Sequence, residues 1–163
     1  MFETFMSKGG HRVDYLNPDA MGDPKAFGFY VRGEVPRLAV YSVTARRHLY
    51  AGLAVIEKKM DPKELVSVYL DINVLENIER PAYQHMKQDM RLGMFRRIFV
   101  YVSSDLLGHP TADSDLRDLY RELGGFELIM PEPVTDNEHR EPISMTVTHW
   151  ILDIERMILL PSR

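Results

Sequence analysis

The most constraining feature of the sequence is the stretch at residues 79–107, in which a helix pattern, a glycine and a buried-strand pattern follow one another. Pro81 suits the first turn of a helix, where its missing N–H leaves no bond unmade, and Gly93 suits the position after the last turn. The spacing therefore predicts a helix over residues 80–92. The apolar, β-branched run at residues 98–102 then predicts a strand covered by helices on both faces, as in the centre of a parallel sheet.

Polar residues follow this predicted strand directly. Ser103, Ser104 and Asp105 come at its carboxyl end. In parallel α/β sheets, ligands and catalytic groups collect beyond the carboxyl ends of the strands. The pattern therefore indicates a candidate site at this turn.

The rest of the chain alternates strand and helix patterns in the same way. Strands are predicted at residues 38–43, 65–70 and 126–130, and helices at residues 45–60 and 113–123. Such crossovers favour parallel strands joined by right-handed connections. We expect an α/β fold with a three-layer, doubly wound, mainly parallel sheet of about four to five strands.

The two ends of the chain have different patterns. Residues 1–36 are rich in glycine and proline, with one apolar patch at residues 26–31, so we expect a partly mobile N-terminal extension to a domain at residues 37–163. Residues 143–160 carry apolar side chains at helical spacing, which predicts a long C-terminal helix with more apolar surface than its own domain covers. We therefore expect a homodimer through this helix. The predicted interface residues are Val147, Trp150, Ile151, Ile154 and Ile158.

Composition excludes several classes of protein. The chain has 163 residues, of which 45% are hydrophobic and 27% charged, as in ordinary globular domains. It has no cysteine, which excludes disulfides and thiolate metal sites, and we expect no metal and no cofactor. No membrane-span or signal-peptide pattern is present, so we expect a cytoplasmic protein that does not bind membranes. The net charge of −4 opposes non-specific attraction to nucleic acid, so any DNA binding is expected to be weak.

Three motifs together resemble a known family. The predicted helix at residues 80–92 starts with Glu79-Arg80-Pro81-Ala82, ends with the pattern D-x-R-x-G at residues 89–93, and leads to a strand that reaches Val100-Tyr101. This order resembles the catalytic domain of the serine recombinases, the resolvase/invertase family, over residues 37–160. The resemblance implies a resolvase-like fold, a link to DNA recombination and a dimer contact in the last helix.

The catalytic positions that the resemblance implies are not reproduced. The family's first strand ends Y-x-R-x-S, where the serine attacks a DNA phosphate and the arginine stabilises the developing charge. Counted from Tyr41, Val43 stands at the arginine position and Ala45 at the serine position. The family's third strand ends in a cationic K-x-D-R-L-x-R segment. In an alignment with one inserted residue, Asp105 and Leu107 match its aspartate and leucine, but Leu106 and His109 replace its two arginines. Of the family's functional arginines, Arg80 is retained.

We therefore expect a resolvase-like domain without strand-exchange activity, acting as a dimerising binding or regulatory module. Two alternatives stay open: a divergent active serine recombinase that forms a phosphoserine link to DNA, and an unrelated small-molecule-binding α/β domain. A nucleotide cofactor is not expected, because no glycine-rich turn follows Val43. If the chain is an enzyme, the resemblance implies a DNA recombinase. The catalytic candidates are Ser42, Thr44, Arg80 and Asp105, and the DNA-binding candidates are Arg46, Arg47 and Arg80.

Overall fold

The computed structural model describes residues 10–35, 42–74, 80–107, 110–133 and 140–159. In these ranges six strands form one sheet and four α-helices pack on it. The strands are β1 (Gly10–Tyr15), β2 (Phe27–Val35), β3 (Leu65–Val74), β4 (Arg97–Phe99), β5 (Glu127–Pro133) and β6 (Arg140–Thr146). The helices are α1 (Val43–Lys59), α2 (Pro81–Arg91), α3 (Pro110–Leu123) and α4 (Val147–Leu159). None of the helices within the described ranges has both the length and the apolar character needed to cross a bilayer.

The order of strands across the sheet is β1-β3-β2-β4-β5-β6. β2 pairs in parallel with β3 on one side and with β4 on the other, and β4 pairs in parallel with β5. β1 and β6 add antiparallel strands at the two ends of this order. The direction of winding therefore reverses at β2, because β3 lies on one side of it and the later strands on the other. The predicted α/β class is confirmed, with a mixed sheet of six strands in place of four to five.

Helices cover both faces of the sheet. On one face α1 buries Ala45, Leu49 and Ile56 against a strand layer that includes Phe29 and Phe99. On the other face the three remaining helices share a second core. Their buried apolar residues are Ala82, Tyr83, Met86, Met90, Leu116, Leu119, Val147, Trp150 and Ile151. Each large apolar side chain buried in this way stabilises the fold by about 1.5–3 kcal/mol.

Residues 10–15 and 27–35 form two strands of the sheet, which corrects the prediction of an N-terminal extension at residues 1–36. β2 is an inner strand, and its residues Phe27, Phe29, Tyr30 and Val31 have 0% exposure. Glycines on this strand allow close packing on it: a Cβ at Gly28 would lie 2.6 Å from the Phe95 ring. Residues 1–9 lie outside the described ranges.

The predicted helix at residues 143–160 begins later than expected. Residues Arg140–Thr146 form β6, with Ile143 opposite Met130 of β5, and the helix starts at Val147. Val147, Trp150 and Ile151 are buried in the chain's own core at 0%, 6% and 1% exposure. The predicted dimer interface is therefore wrong for these three residues.

The remaining part of that predicted interface consists of Ile154 and Ile158. Their side chains are outside the described part of the structure. Dimerisation through these two positions stays a prediction.

The strand predicted at residues 38–43 lies mainly outside the described ranges, and its end is wrong. Ser42 is the N-cap of α1, and its Oγ accepts a hydrogen bond from the Ala45 N–H at 3.1 Å. Val43 and Ala45 therefore belong to the first turn of a helix, where a serine N-cap satisfies an otherwise unpaired N–H.

Candidate functional site

The carboxyl ends of β2 and β3 lie side by side at one end of the sheet, with Val35 opposite Val74. The β4 ladder stops at Phe99, opposite Phe29, and the chain after it reaches the same region through a hydrogen bond between Asp105 and the Arg32 backbone. We call this region the carboxyl edge. α1 follows β2 in the chain, α2 follows β3, and a 3₁₀ turn at Ser103–Asp105 follows β4, so helix N-termini and a polar turn meet there. The predicted strand at residues 98–102 ends early, since the ladder stops at Phe99 and the chain bends before the turn. Residues 36–41, 75–79 and 108–109 belong to the same connections and are outside the described ranges.

Asp71, in the second half of β3, is fully buried and accepts three hydrogen bonds. The donors are Tyr30 Oη at 2.8 Å, the Ala82 N–H at 2.9 Å and the Tyr83 N–H at 3.0 Å. Burial raises the pKa of the Asp71 carboxyl, and these hydrogen bonds and the charge of Arg80 oppose the rise. Arg80, the N-cap residue of α2, makes no side-chain cap of its own. The Asp71 carboxyl therefore serves as the cap of α2.

Arg80 lies beside Asp71 at the start of α2 and is half-buried. Its NH1 donates to the Leu106 carbonyl at 3.3 Å, and its guanidinium carbon lies 4.1 Å from the centre of the Tyr83 ring. Burial raises the pKa of the Tyr30 hydroxyl, while the Arg80 charge acts against that rise. Arg80 therefore connects α2 to the segment after β4 and brings a positive charge to the carboxyl edge.

Asp105 in the 3₁₀ turn is paired with His48 of α1. The Nδ1 atom of His48 lies 2.9 Å from both carboxylate oxygens of Asp105, and the two side chains are 13% and 4% exposed. We call these residues the His48–Asp105 pair. Burial raises the pKa of the Asp105 carboxyl, whereas His48, the Arg32 backbone and the Arg32 charge oppose this rise. Arg32 of β2 is therefore close enough to act electrostatically on the pair.

The carboxyl edge thus combines two guanidinium groups, two buried carboxyl groups and an imidazole. Guanidinium groups bind phosphate and carboxylate oxygens through paired, charge-assisted hydrogen bonds. An imidazole oriented by a carboxylate can accept and release a proton. Among the residues with described positions, no cluster of three or more histidine or acidic side chains could hold a metal ion.

The structure separates the four predicted catalytic candidates. Arg80 and Asp105 both belong to the carboxyl edge. Ser42 is fully buried, and its hydroxyl oxygen is used as the helix cap of α1. Thr44 is exposed on the first turn of α1.

The other two predicted DNA-binding residues lie one turn further along this helix. Arg46 and Arg47 are both exposed. The guanidinium carbon of Arg46 lies 5.9 Å from the centre of the Tyr50 ring, a distance that allows a cation–π contact. Both arginines thus add positive charge on the helix that starts at the carboxyl edge.

Tyr30, Arg32 and His48 were not predicted as site residues from the sequence. Tyr30 lies 41 positions from Asp71 and His48 lies 57 positions from Asp105, so no local spacing indicates either contact. Arg32 comes directly after Tyr30 and Val31 at the end of the apolar patch, and this position in the sequence could have indicated it as a site residue.

A second polar cluster lies between β1, β3 and α2. Asp89 accepts hydrogen bonds from Tyr15 Oη at 2.8 Å and from Tyr69 Oη at 2.6 Å, and Ser67 donates to Tyr69 at 2.7 Å. Burial and Asp89 raise the pKa of both tyrosine hydroxyls, so neither is an activated phenol. Tyr15 also contacts His85 Nε2 at 2.8 Å. Because Tyr15 pairs with Ser67 near the amino end of β3, this cluster fastens β1 to α2 away from the carboxyl edge.

A third polar contact joins α2 to α3. Tyr83 Oη donates to Asp115 at 2.6 Å, and Lys87 Nζ lies 2.8 Å and 3.0 Å from the two oxygens of the same carboxylate. Burial alone would raise the pKa of the Asp115 carboxyl, but the hydrogen bonds and charges of Lys87, Tyr83 and Arg80 outweigh burial and lower it. Asp115 is therefore stabilised in its ionised form.

This lowered pKa predicts acid sensitivity. A carboxylate whose folded-state pKa lies below the unfolded value of about 3.9 adds stability above that value and loses it as the pH falls through the folded value. We expect the free energy of unfolding of the wild type to decrease between about pH 5 and pH 2. The free energy of unfolding of Asp115→Asn should decrease less steeply over the same range. The loss at neutral pH should be under about 1 kcal/mol, because the side chain is 36% exposed. Urea unfolding at a series of pH values measures this, with Asp118→Asn as the control for removing a charge from α3. Equal acid slopes for wild type and Asp115→Asn would contradict the assignment.

No model of a known protein family matches the chain, and a search of curated proteins gives no match either. The contacts and charges of the carboxyl edge are therefore the basis for assigning a function.

Proposed function

We propose that this chain is a resolvase-like α/β domain that binds the phosphate backbone of DNA at its carboxyl edge and does not catalyse strand exchange. The observation that carries the proposal is the segment Tyr30-Val31-Arg32-Gly33-Glu34 at the end of β2, the strand that precedes α1. When the family pattern Y-x-R-x-S is aligned with this strand, Tyr30 and Arg32 stand at its tyrosine and arginine positions. Glu34 then stands in place of the serine.

This placement differs from the alignment counted from Tyr41. Val43 and Ala45 lie in the first turn of α1, so they are not at a strand end. β2 is the strand that pairs with β3 and β4. Near its carboxyl end, Arg32 lies opposite Asp71 of β3, and the Arg32 backbone hydrogen-bonds to Asp105. The arginine that is missing in the first alignment is therefore supplied by Arg32 in the second.

The charge distribution supports phosphate binding at this edge. Arg32 lies on β2 and Arg80 precedes the helix that follows the neighbouring strand β3. Arg46 and Arg47 are exposed on the first turns of α1. A phosphodiester carries a single negative charge that guanidinium groups bind well. Glu34 and the net charge of −4 act against DNA, so we expect weak binding with a strong dependence on salt.

The side chains near the expected nucleophile position support the proposal that strand exchange is not catalysed. A phosphoserine link needs a hydroxyl group, and Glu34 has none. Ser42 is buried and its oxygen is engaged with the Ala45 N–H, so attack by Ser42 would require α1 to lose its cap. Of the two nucleophile candidates considered, Thr44 is the exposed one.

Fluorescence anisotropy with a labelled DNA duplex at low salt tests this function. We expect Arg32→Ala to weaken binding about tenfold, the effect of losing one charge-assisted hydrogen-bond contact. Arg121→Ala, which removes a 78% exposed arginine from the last turn of α3, is the matched control and should bind like wild type. On denaturing gels no covalent protein–DNA adduct should form. Unchanged binding by Arg32→Ala would contradict DNA binding at this edge, and an adduct abolished by Thr44→Ala would establish the active recombinase instead.

A second candidate function is the binding of a small phosphorylated molecule. The observation that favours it is the reversal of strand order at β2, since ligands of such sheets bind at the carboxyl ends of the strands beside that point. Titration with inorganic pyrophosphate in the same anisotropy experiment distinguishes the two candidates. Displacement of DNA at low pyrophosphate concentration, unaffected by matched ionic strength, would favour the small ligand.

A further inference from the structure

We infer that the His48–Asp105 pair transfers protons during hydrolysis of phosphate diesters at the carboxyl edge, with water as the nucleophile. This inference rests on the proposed function, because the arginines proposed to bind DNA phosphates would also hold the substrate. It adds an activity that needs neither a serine nor a covalent protein–DNA intermediate.

The position of the pair is the first observation. His48 lies in the second turn of α1, and Asp105 lies in the turn that follows β4. β2 and β4 are neighbours in the sheet, and the direction of winding reverses between them. The pair therefore lies at the part of the sheet where α/β proteins most often place a reacting group.

The contact between the two side chains is the second observation. Nδ1 of His48 is equidistant from both Asp105 oxygens, at 2.9 Å, and the pair is almost closed to solvent. A carboxylate in this position keeps the proton on Nδ1 and leaves the lone pair on Nε2. In the part of the chain that the structure describes, Nε2 makes no hydrogen bond of its own. It is therefore the atom that would accept a proton.

The third observation is the positive charge beside the pair. The Arg32 backbone forms a hydrogen bond with the Asp105 carboxyl, and the Arg32 charge interacts electrostatically with the same carboxyl. Arg80 reaches the carbonyl of Leu106, the residue after Asp105. Positive charge near a proton acceptor is suited to a reaction in which negative charge develops on phosphate oxygens.

The proposed reaction is balanced by these groups alone. A water oxygen bonds to phosphorus while Nε2 of His48 accepts the water proton. The P–O bond to the leaving alcohol breaks, and the departing oxygen takes the proton from Nε2, so the imidazole returns to its neutral form. One phosphate diester and one water give a phosphate monoester and an alcohol. Asp105 holds the ring and stabilises the imidazolium, as in other histidine–carboxylate pairs.

Hydrolysis of bis(4-nitrophenyl) phosphate, followed by 4-nitrophenolate absorbance, tests this inference with the full chain. We expect a wild-type rate above that of buffer alone, with a pH profile that reflects the proton acceptor. His48→Gln keeps a side-chain N–H for Asp105 but removes the proton acceptor, so the rate should decrease by about 10²–10⁴-fold and lose its pH dependence. Asp105→Asn should decrease the rate as well. His85→Gln, which alters the cluster at Tyr15, is the matched control and should retain the wild-type rate and pH profile.

The outcomes separate this inference from a structural role and from the proposed function. Circular dichroism shows whether His48→Gln and Asp105→Asn are folded. One folded variant of the two is sufficient to test the inference. A wild-type rate at the buffer level, or a folded His48→Gln or Asp105→Asn variant with the wild-type rate and pH profile, would overturn the inference. DNA binding without hydrolysis leaves the proposed function intact and rejects the proton-transfer role. Hydrolysis that depends on His48 in a protein without DNA affinity supports the pair and rejects DNA as the ligand.

Discussion

Replacing Asp71 with alanine should decrease the free energy of unfolding by about 3–5 kcal/mol, which is the largest effect we expect from a single substitution at the carboxyl edge. The change leaves three buried donors without their acceptor: the Tyr30 hydroxyl and the N–H groups of Ala82 and Tyr83. It also removes the cap of α2. Since domains of this kind are stable by about 5–15 kcal/mol, much of the protein should be unfolded at modest urea concentrations.

Urea unfolding followed by Trp150 fluorescence measures this loss. Asp71→Asn keeps one acceptor oxygen and should lose less stability than alanine does. Asp118→Ala, at a 73% exposed position of α3, should change the unfolding free energy by no more than about 0.5 kcal/mol. An Asp71→Ala variant within 1 kcal/mol of wild type would show that the three donors find water instead.

Gly33→Ala should be the next most damaging change, with a loss of about 2–3 kcal/mol. A Cβ at this position would lie 2.5 Å from Ser42 Oγ and 2.8 Å from the Ala45 nitrogen, so it would collide with the first turn of α1. The backbone of a capped helix cannot yield locally, and the whole helix has to move away from β2. Because α1 carries His48, the contact with Asp105 should lengthen and the proposed hydrolysis should decrease with the stability.

Gly22→Ala is the comparison for this effect. Its φ of +83° makes alanine strained, but an added Cβ meets nothing within 4 Å. The expected loss is about 1 kcal/mol, from backbone strain alone. Equal losses for the two variants in thermal unfolding would mean that α1 is not in close contact with β2.

The elements predicted correctly from the sequence are those whose ends or faces are marked by residues close together in the chain. Pro81 and Gly93 predict a helix over residues 80–92, and α2 spans Pro81–Arg91 with Gly93 at a φ of 81°. The helix predicted at residues 45–60 is α1, Val43–Lys59. Both depend on contacts within one turn, which a sequence pattern records directly.

The elements that were wrongly predicted depend on distant partners. β2 contains Gly28 and Gly33, which weaken a strand pattern, yet those glycines are required by Phe95 and Ala45, residues far away in the chain. β6 was assigned to a helix because Ile143 happens to continue the spacing of α4. Prolines also obscured the β5–β6 hairpin: Pro131 and Pro142 face each other there, beyond the three residues of β5 that pair with β4.

The candidate site was predicted in position but not in composition. Asp105 follows from the rule that reacting groups lie at strand ends, Arg80 was named from the family resemblance, and both are at the carboxyl edge. Their partners could not be inferred, because the contact of Asp105 with His48 depends on the order of strands across the sheet. That order places β2 beside β4, and no pattern within either strand indicates it.

The inner position of β2 has a consequence for synthesis of the chain. β2 emerges from the ribosome before both of its neighbours, and its apolar side chains at Phe27, Phe29 and Val31 need β3, β4 and α1 to cover them. A nascent chain that ends between β3 and β4 has an uncovered strand edge, which is the kind of surface that aggregates or recruits chaperones. Slow translation would therefore be most harmful during the interval in which β3 has emerged from the ribosome and β4 has not, and faster passage through this interval should increase the yield of folded protein.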